Sequence, residues 1–102
     1  MSFRRAAKVD ANQSGIVEEF KARGASVKSV AQLKGFVDIV VGYRGHNFLI
    51  EIKNMEGRGR RLTEDEIEFH ATWKGSASVM ESRDEVEPFL KRIAKTYGKT
   101  TV

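Results

Sequence analysis

Two apolar runs on either side of Arg44-Gly45 constrain this chain more than any other feature. The first, Phe36 to Val41, is apolar except for Asp38, and the second, Asn47 to Lys53, is apolar except for Asn47, Glu51 and Lys53. Neither alternates strictly, which predicts strands covered on both faces. A two-residue loop, with Gly45 supplying a positive φ, makes the runs a tight antiparallel hairpin. Tyr43 then lies opposite His46, and the same register sets Asp38 opposite Glu51, with Cβ atoms roughly 4.5–5.5 Å apart. Lys53 shares the face of Glu51, while Ile52 points the other way into the core. A three-residue loop would shift the register and undo the opposition. Carboxylates so placed repel, and burying them is costly without a compensating partner. A divalent cation would compensate them. An edge hairpin with solvated charges is the plainer reading of the same spacing.

Elements on either side of the hairpin complete one unit. Residues 1–9 carry Arg4, Arg5 and Lys8 without periodicity and read as a basic arm able to touch phosphates. Asp10 is a good N-cap with Gln13 three residues on, followed by the stripe Ile16, Val17, Phe20 and a stop at Gly24. Val27 and Val30 hint at a strand. After the hairpin, residues 54–61 hold two glycines and the arginines Arg58, Arg60 and Arg61, a flexible basic loop. Thr63 and Glu66 form a capping box for a second helix, with Ile67, His70 and Trp73 at helical spacing and Gly75 as its end. Ala77 to Glu81 reads as a short strand. Pro88 cannot sit deep in a helix, so the last helix begins near Asp84 to Glu87, carries Phe89, Leu90 and Ile93, and runs to about Lys95. The order is α-β-β-β-α-β-α, an α/β fold with a mixed sheet covered by helices. The expected organisation is an arm at 1–9, one domain at 10–97 and a frayed tail at 98–102.

Composition narrows the chemistry. The chain has 102 residues, enough for one modest core, and no cysteine, which excludes disulfides and thiolate metal sites. No apolar run approaches the ~20 residues of a membrane span and no secretory segment is visible, so an intracellular protein is expected. A net charge of +4 permits a polyanionic partner without requiring one.

Asp38 followed by Glu51-Ile-Lys53 on adjacent strands resembles the PD-(D/E)XK nuclease superfamily, with its restriction-endonuclease-like core. The chain is more closely similar to the small, phage-encoded VRR-NUC proteins, themselves like Holliday junction resolvases. The resemblance spans nearly the whole chain: Asp10-Ala-Asn-Gln13, Ile16-Val17, Gly24-Ala25, Gly35-Phe-Val-Asp38, Val41-Gly42, Gly45, Glu51-Ile-Lys53, Leu62-Thr63, Phe69-His70 and Trp73-Lys74-Gly75. Val37 stands where the motif's name expects proline, and Gln13 where related proteins often carry glutamate, which leaves one fewer negative charge.

The resemblance implies a metal-dependent endonuclease acting on DNA, structure-selective in the manner of a resolvase. A nuclease for ordinary duplex or flaps, or a non-catalytic nucleic-acid-binding module, are the alternatives. It implies Mg²⁺ or Mn²⁺ held by Asp38, Glu51 and the backbone carbonyl of Ile52, with Lys53 at the attacking water or a phosphate oxygen. It also implies a phage or prophage setting in a bacterial host. A symmetric junction substrate suits a homodimer.

Other residues carry two readings each. Gln13 reaches the site or serves the cap with Asp10. Arg58, Arg60, Arg61 and Lys74 contact DNA phosphates or are simply solvated. His70 is expected to be structural, His46 exposed at the turn, and Trp73 part of the core or an interface.

Overall fold

The computed structural model describes residues 2–53 and 62–97, with side chains from residue 12 onward. Helix α1 spans Ser2–Ala22, strands β1, β2 and β3 span Ser26–Ser29, Ile39–Tyr43 and His46–Ile52, helix α2 spans Glu64–Thr72, strand β4 spans Ala77–Met80 and helix α3 spans Val86–Tyr97. The sheet order is β1-β2-β3-β4. The first three strands form an antiparallel meander, and β4 joins β3 in parallel after the crossover through α2. This is the α/β order expected from the sequence. Among the described residues no helix is long and apolar enough to cross a membrane.

The hairpin register is the expected one. Tyr43 pairs with His46, and the ladder runs back to Ile39 opposite Ile50. Arg44 (φ 53°) and Gly45 (φ 82°) both take the left-handed conformation that a two-residue turn of this twist requires. Gly45 adopts it freely; Arg44 does not. Strand β2 is shorter than the apolar run: it starts at Ile39, and Phe36 to Asp38 approach it as irregular backbone.

Alternation along β2 and β3 sends one set of side chains into the core. Ile39, Val41, Phe48, Ile50 and Ile52 pack with Met80 of β4, Ile16 and Phe20 of α1, and Val86, Phe89, Leu90 and Ile93 of α3. Phe89 is the centre of this layer, meeting the edges of Phe20 at 5.9 Å and Phe48 at 5.6 Å between ring centroids. The opposite face of the sheet is only partly covered: Val40 and Leu49 are half-buried and Val79 is exposed. The expectation of strands buried on both faces is therefore corrected, because α1 and α3 share one face. The open face carries the charged positions Asp38, Glu51 and Lys53.

Three local readings also change. Helix α1 starts at Ser2, so Asp10 lies within it and is not its N-cap; residues 2–9 contain no glycine or proline to stop a helix. Its end is as expected, with Gly24 at φ 94° and the Ala25 N–H donating to the Phe20 carbonyl at 3.0 Å. Helix α2 has its Thr63–Glu66 capping box but ends at Thr72, and it buries no residue fully. Ile67 (54% exposed) and Trp73 (45% exposed) do not form a core stripe. The contacts of α2 run instead through Glu66, Phe69 and Trp73, where Phe69 and Trp73 stack on each other and both meet Phe36 edge-on. His46 is half-buried, stacked on Tyr97 at 3.9 Å, because α3 runs on to Tyr97 and covers the turn.

Candidate active site

Asp38 sits where β2 should begin, and three hydrogen bonds hold it. Its N–H donates to the Ile50 carbonyl at 3.1 Å, and its carbonyl accepts from the Val30 N–H at 2.8 Å. Its carboxylate Oδ2 accepts the Ile52 N–H at 2.7 Å. In an unbroken ladder that N–H would meet the carbonyl of residue 37, so the side chain of Asp38 replaces a main-chain acceptor. N–H and C=O of one strand residue point to the same side. The Ile52 carbonyl therefore also faces the β2 side, where β2 has ended and the Asp38 carboxylate begins.

Glu51 lies between Ile50 and Ile52, which fill the core, and so faces the open side of the sheet. It is nonetheless only 4% exposed, and it is the one buried charged residue among those described. Burial, a hydrogen bond shared with Glu66, and the charges of Asp38 and Glu66 push its carboxyl from 4.5 up to about 8, against the opposing charge of Lys53. The end of β3 thus gathers more negative charge than it neutralises.

Among the described residues, Lys53 is the cation paired with these acids. Its Nζ is 2.8 Å from Glu66 Oε1 and 3.5 Å from Glu51 Oε2. Burial works to lower its pKa, but the hydrogen bond to Glu66 and the charges of both glutamates outweigh that and raise it. Its backbone is fixed as well, since the N–H donates to the Met80 carbonyl at 3.0 Å and the carbonyl accepts from Asn12 Nδ2 at 3.1 Å. For Glu66, burial works upward, yet the bonds from the Lys53 ammonium and the Thr63 N–H prevail and leave the carboxyl below its ordinary value.

The structure brings together Asp38, Glu51, Ile52 and Lys53. Gln13 donates from Nε2 to Ser29 Oγ at 3.3 Å. Ser29 adjoins Val30, whose N–H binds the Asp38 carbonyl, so Gln13 stands near Asp38 with its amide turned to β1. Lys74 is exposed past the end of α2. Arg4, Arg5, Lys8, Arg58, Arg60 and Arg61 lie outside the residues whose side chains are described. Sequence reasoning missed two participants. Asn12, beside Gln13, crosses from α1 to β3, and Glu66, fully explained by its capping box, reaches the site as well. A hollow of about 400 Å³ lined by Ala22, Arg23, Tyr43, Glu87 and Leu90 contains none of these groups.

Among the described residues no three His, Cys, Asp or Glu side chains form a metal-binding group by themselves. Glu66 is occupied by Lys53 and Thr63, which leaves two carboxylates and the Ile52 carbonyl. These are hard oxygen donors bearing surplus negative charge, a set that fits a hard divalent cation with water completing its shell.

No family model matches the chain, and no curated protein matches it. A solved structure described as a "VRR_NUC domain" superimposes with a TM-score of 0.63 at 21% identity, covering 82% of this chain and 95% of that one. The chain therefore has the VRR_NUC fold, a four-stranded mixed sheet flanked by helices.

Proposed function

We propose that this protein is a metal-dependent nuclease that hydrolyses DNA phosphodiester bonds, with a preference for branched DNA such as four-way junctions. The observation that carries the reading is the placement of Glu51: a buried carboxylate, beside a second carboxylate and a lysine, with its pKa pushed up to about 8. Desolvated like charges of this kind are candidates for a functional site, and a bound cation would relieve their repulsion. The likeness to a VRR_NUC domain supports the same reading.

Asp38, Glu51 and the Ile52 carbonyl would hold Mg²⁺ or Mn²⁺. When bound, the ion would acidify a water and offset charge on the scissile phosphate. Asp38 contributes a carboxylate whose Oδ2 is held by the Ile52 N–H, on a backbone fixed by two further hydrogen bonds. Glu51 would bind the ion as its carboxylate. Lys53 presents a fixed ammonium to the attacking water or to a non-bridging phosphate oxygen, where negative charge grows in the transition state. Lys74, with Arg4, Arg5, Lys8, Arg58, Arg60 and Arg61, would bind the phosphate backbone, a contribution that weakens with salt. We place the enzyme as a homodimer acting on intracellular DNA in a phage or prophage setting; sedimentation as a monomer at micromolar concentration, with or without DNA, would overturn the dimer.

The test is cleavage of labelled four-way junction, flap and linear duplex with Mg²⁺, Mn²⁺ or EDTA. Metal-dependent cutting should vanish in Glu51→Gln and Lys53→Ala while DNA binding persists. Unchanged turnover in either variant refutes the assignment. A preference for flaps or duplex would move the substrate to general DNA processing, and binding without cutting under every metal would leave a non-catalytic module.

A further inference from the structure

We infer that Glu66 is the positioning residue for Lys53, an inference that rests on the proposed nuclease reading and names a further residue of that site. Lysine is a flexible stem ending in a point charge, and holding it in one place costs rotamer entropy. Something must therefore fix Nζ if Lys53 is to meet a phosphate oxygen in a single orientation. Glu51 does so poorly, because it lies at 3.5 Å and would be drawn to a cation. Glu66 lies at 2.8 Å, and both side chains are largely shielded, at 12% and 19% exposure.

Oxygen Oε1 of Glu66 does two things at once. It accepts the Thr63 N–H at 2.9 Å, closing the capping box, and it takes the Lys53 ammonium. Only the second needs a negative charge, since glutamine closes a capping box equally well. Helix α2 buries no residue fully, so its first turn depends on this contact and on the Phe36, Phe69 and Trp73 rings for its place over the sheet. Glu66 thus fixes the ammonium from the first turn of α2.

Glu66→Gln keeps the cap and removes the charge, and its amide can still hydrogen-bond Glu51. Thr63→Ala is the converse control, since it weakens the cap and keeps the carboxylate. The readouts are the melting temperature, the ¹⁵N-edited NMR signal of the Lys53 ammonium, and kcat and KM on the best-cleaved DNA. In the parent protein the Lys53 signal should be visible and protected from exchange. In Glu66→Gln it should be lost and kcat should fall about 10- to 100-fold, with KM and fold retained. Thr63→Ala should lower the melting temperature and keep both the signal and kcat. A protected Lys53 signal or an unchanged kcat in Glu66→Gln overturns the inference, as does loss of the signal in folded Thr63→Ala. Should the parent cut no DNA, the nuclease reading fails, while the ammonium signal still decides whether Glu66 holds Lys53.

Discussion

Replacing Glu51 by glutamine should stabilise the metal-free protein, and by an amount that depends on pH. Glu51 is 4% exposed, and its carboxyl is pushed from 4.5 up to about 8 by burial, by the hydrogen bond with Glu66 and by the charges of Asp38 and Glu66. A group whose pKa is higher folded than unfolded binds more protons in the folded state over the interval between the two values. Stability must therefore fall as pH rises from about 4.5 to about 8 and flatten beyond. A tenfold difference in proton affinity between the two states is worth about 1.36 kcal/mol, so the interval amounts to a few kcal/mol at most, shared with the groups coupled to Glu51. Glutamine carries no proton to lose and should abolish that slope. Urea denaturation followed by circular dichroism in EDTA, at pH 5 to 9, gives the two stability curves. Their difference reports Glu51 together with its effect on the neighbours that share its charge and hydrogen bond, Lys53 and Glu66. The variant should exceed the wild type by up to a few kcal/mol at pH 8, which at about 4–8 °C per kcal/mol for a domain of this size is a large change in melting temperature. Parallel curves, or a wild type that gains stability relative to the variant over this window, would refute the reasoning.

Other outcomes test separate parts of the structure. Adding Mn²⁺ should raise the melting temperature of the wild type and release protons, with about 2.7 kcal/mol of stabilisation at a hundredfold excess over Kd; an unchanged melting temperature at millimolar metal would count against a preformed site. Arg44→Asn should stabilise the fold by about 0.5–1 kcal/mol in a denaturant titration, since asparagine tolerates the φ of 53° that arginine adopts at a cost. Phe20→Ala removes a fully buried ring from the Phe89 cluster and should cost about 3–5 kcal/mol by the same method.

Local signals carried most of the legible information. Arg44-Gly45 determined the hairpin register, which pointed to Asp38 near Glu51; the ladder stops at Ile39, and bonds to Val30, Ile50 and Ile52 place Asp38 beyond it. The Thr63–Glu66 capping box and the Phe89, Leu90, Ile93 stripe were equally local, and the structure has all of them. Misreadings arose where a local pattern had a second explanation. Asp10 with Gln13 imitates a helix start, yet nothing in residues 2–9 stops the helix from extending back. Ile67 and Trp73 have helical spacing, but α2 turns Glu66 and Phe69 inward, and the attraction of Glu66 to Lys53 is a tertiary fact absent from the sequence of α2. The same holds for Asn12, whose bond to Lys53 spans the chain from α1 to β3. His46 is covered because Tyr97 comes back from the far end of the chain.

The two-residue turn between β2 and β3 also bears on the route by which the chain folds. Strands β1 to β3 pair with sequence neighbours, whereas β4 must wait for the longer crossover through α2. Short-range pairings form early because little chain entropy is lost in closing them. On this route Asp38 and Glu51 would approach each other with the hairpin, before Glu66 arrives to complete the surroundings of Lys53. Their repulsion would act as a brake on the rate-limiting step. Stopped-flow refolding of Glu51→Gln at pH 8 should be faster than that of the wild type, with the gain appearing in the folding limb of the chevron. If instead the gain appears only as slower unfolding, the carboxylates meet after the barrier has been crossed.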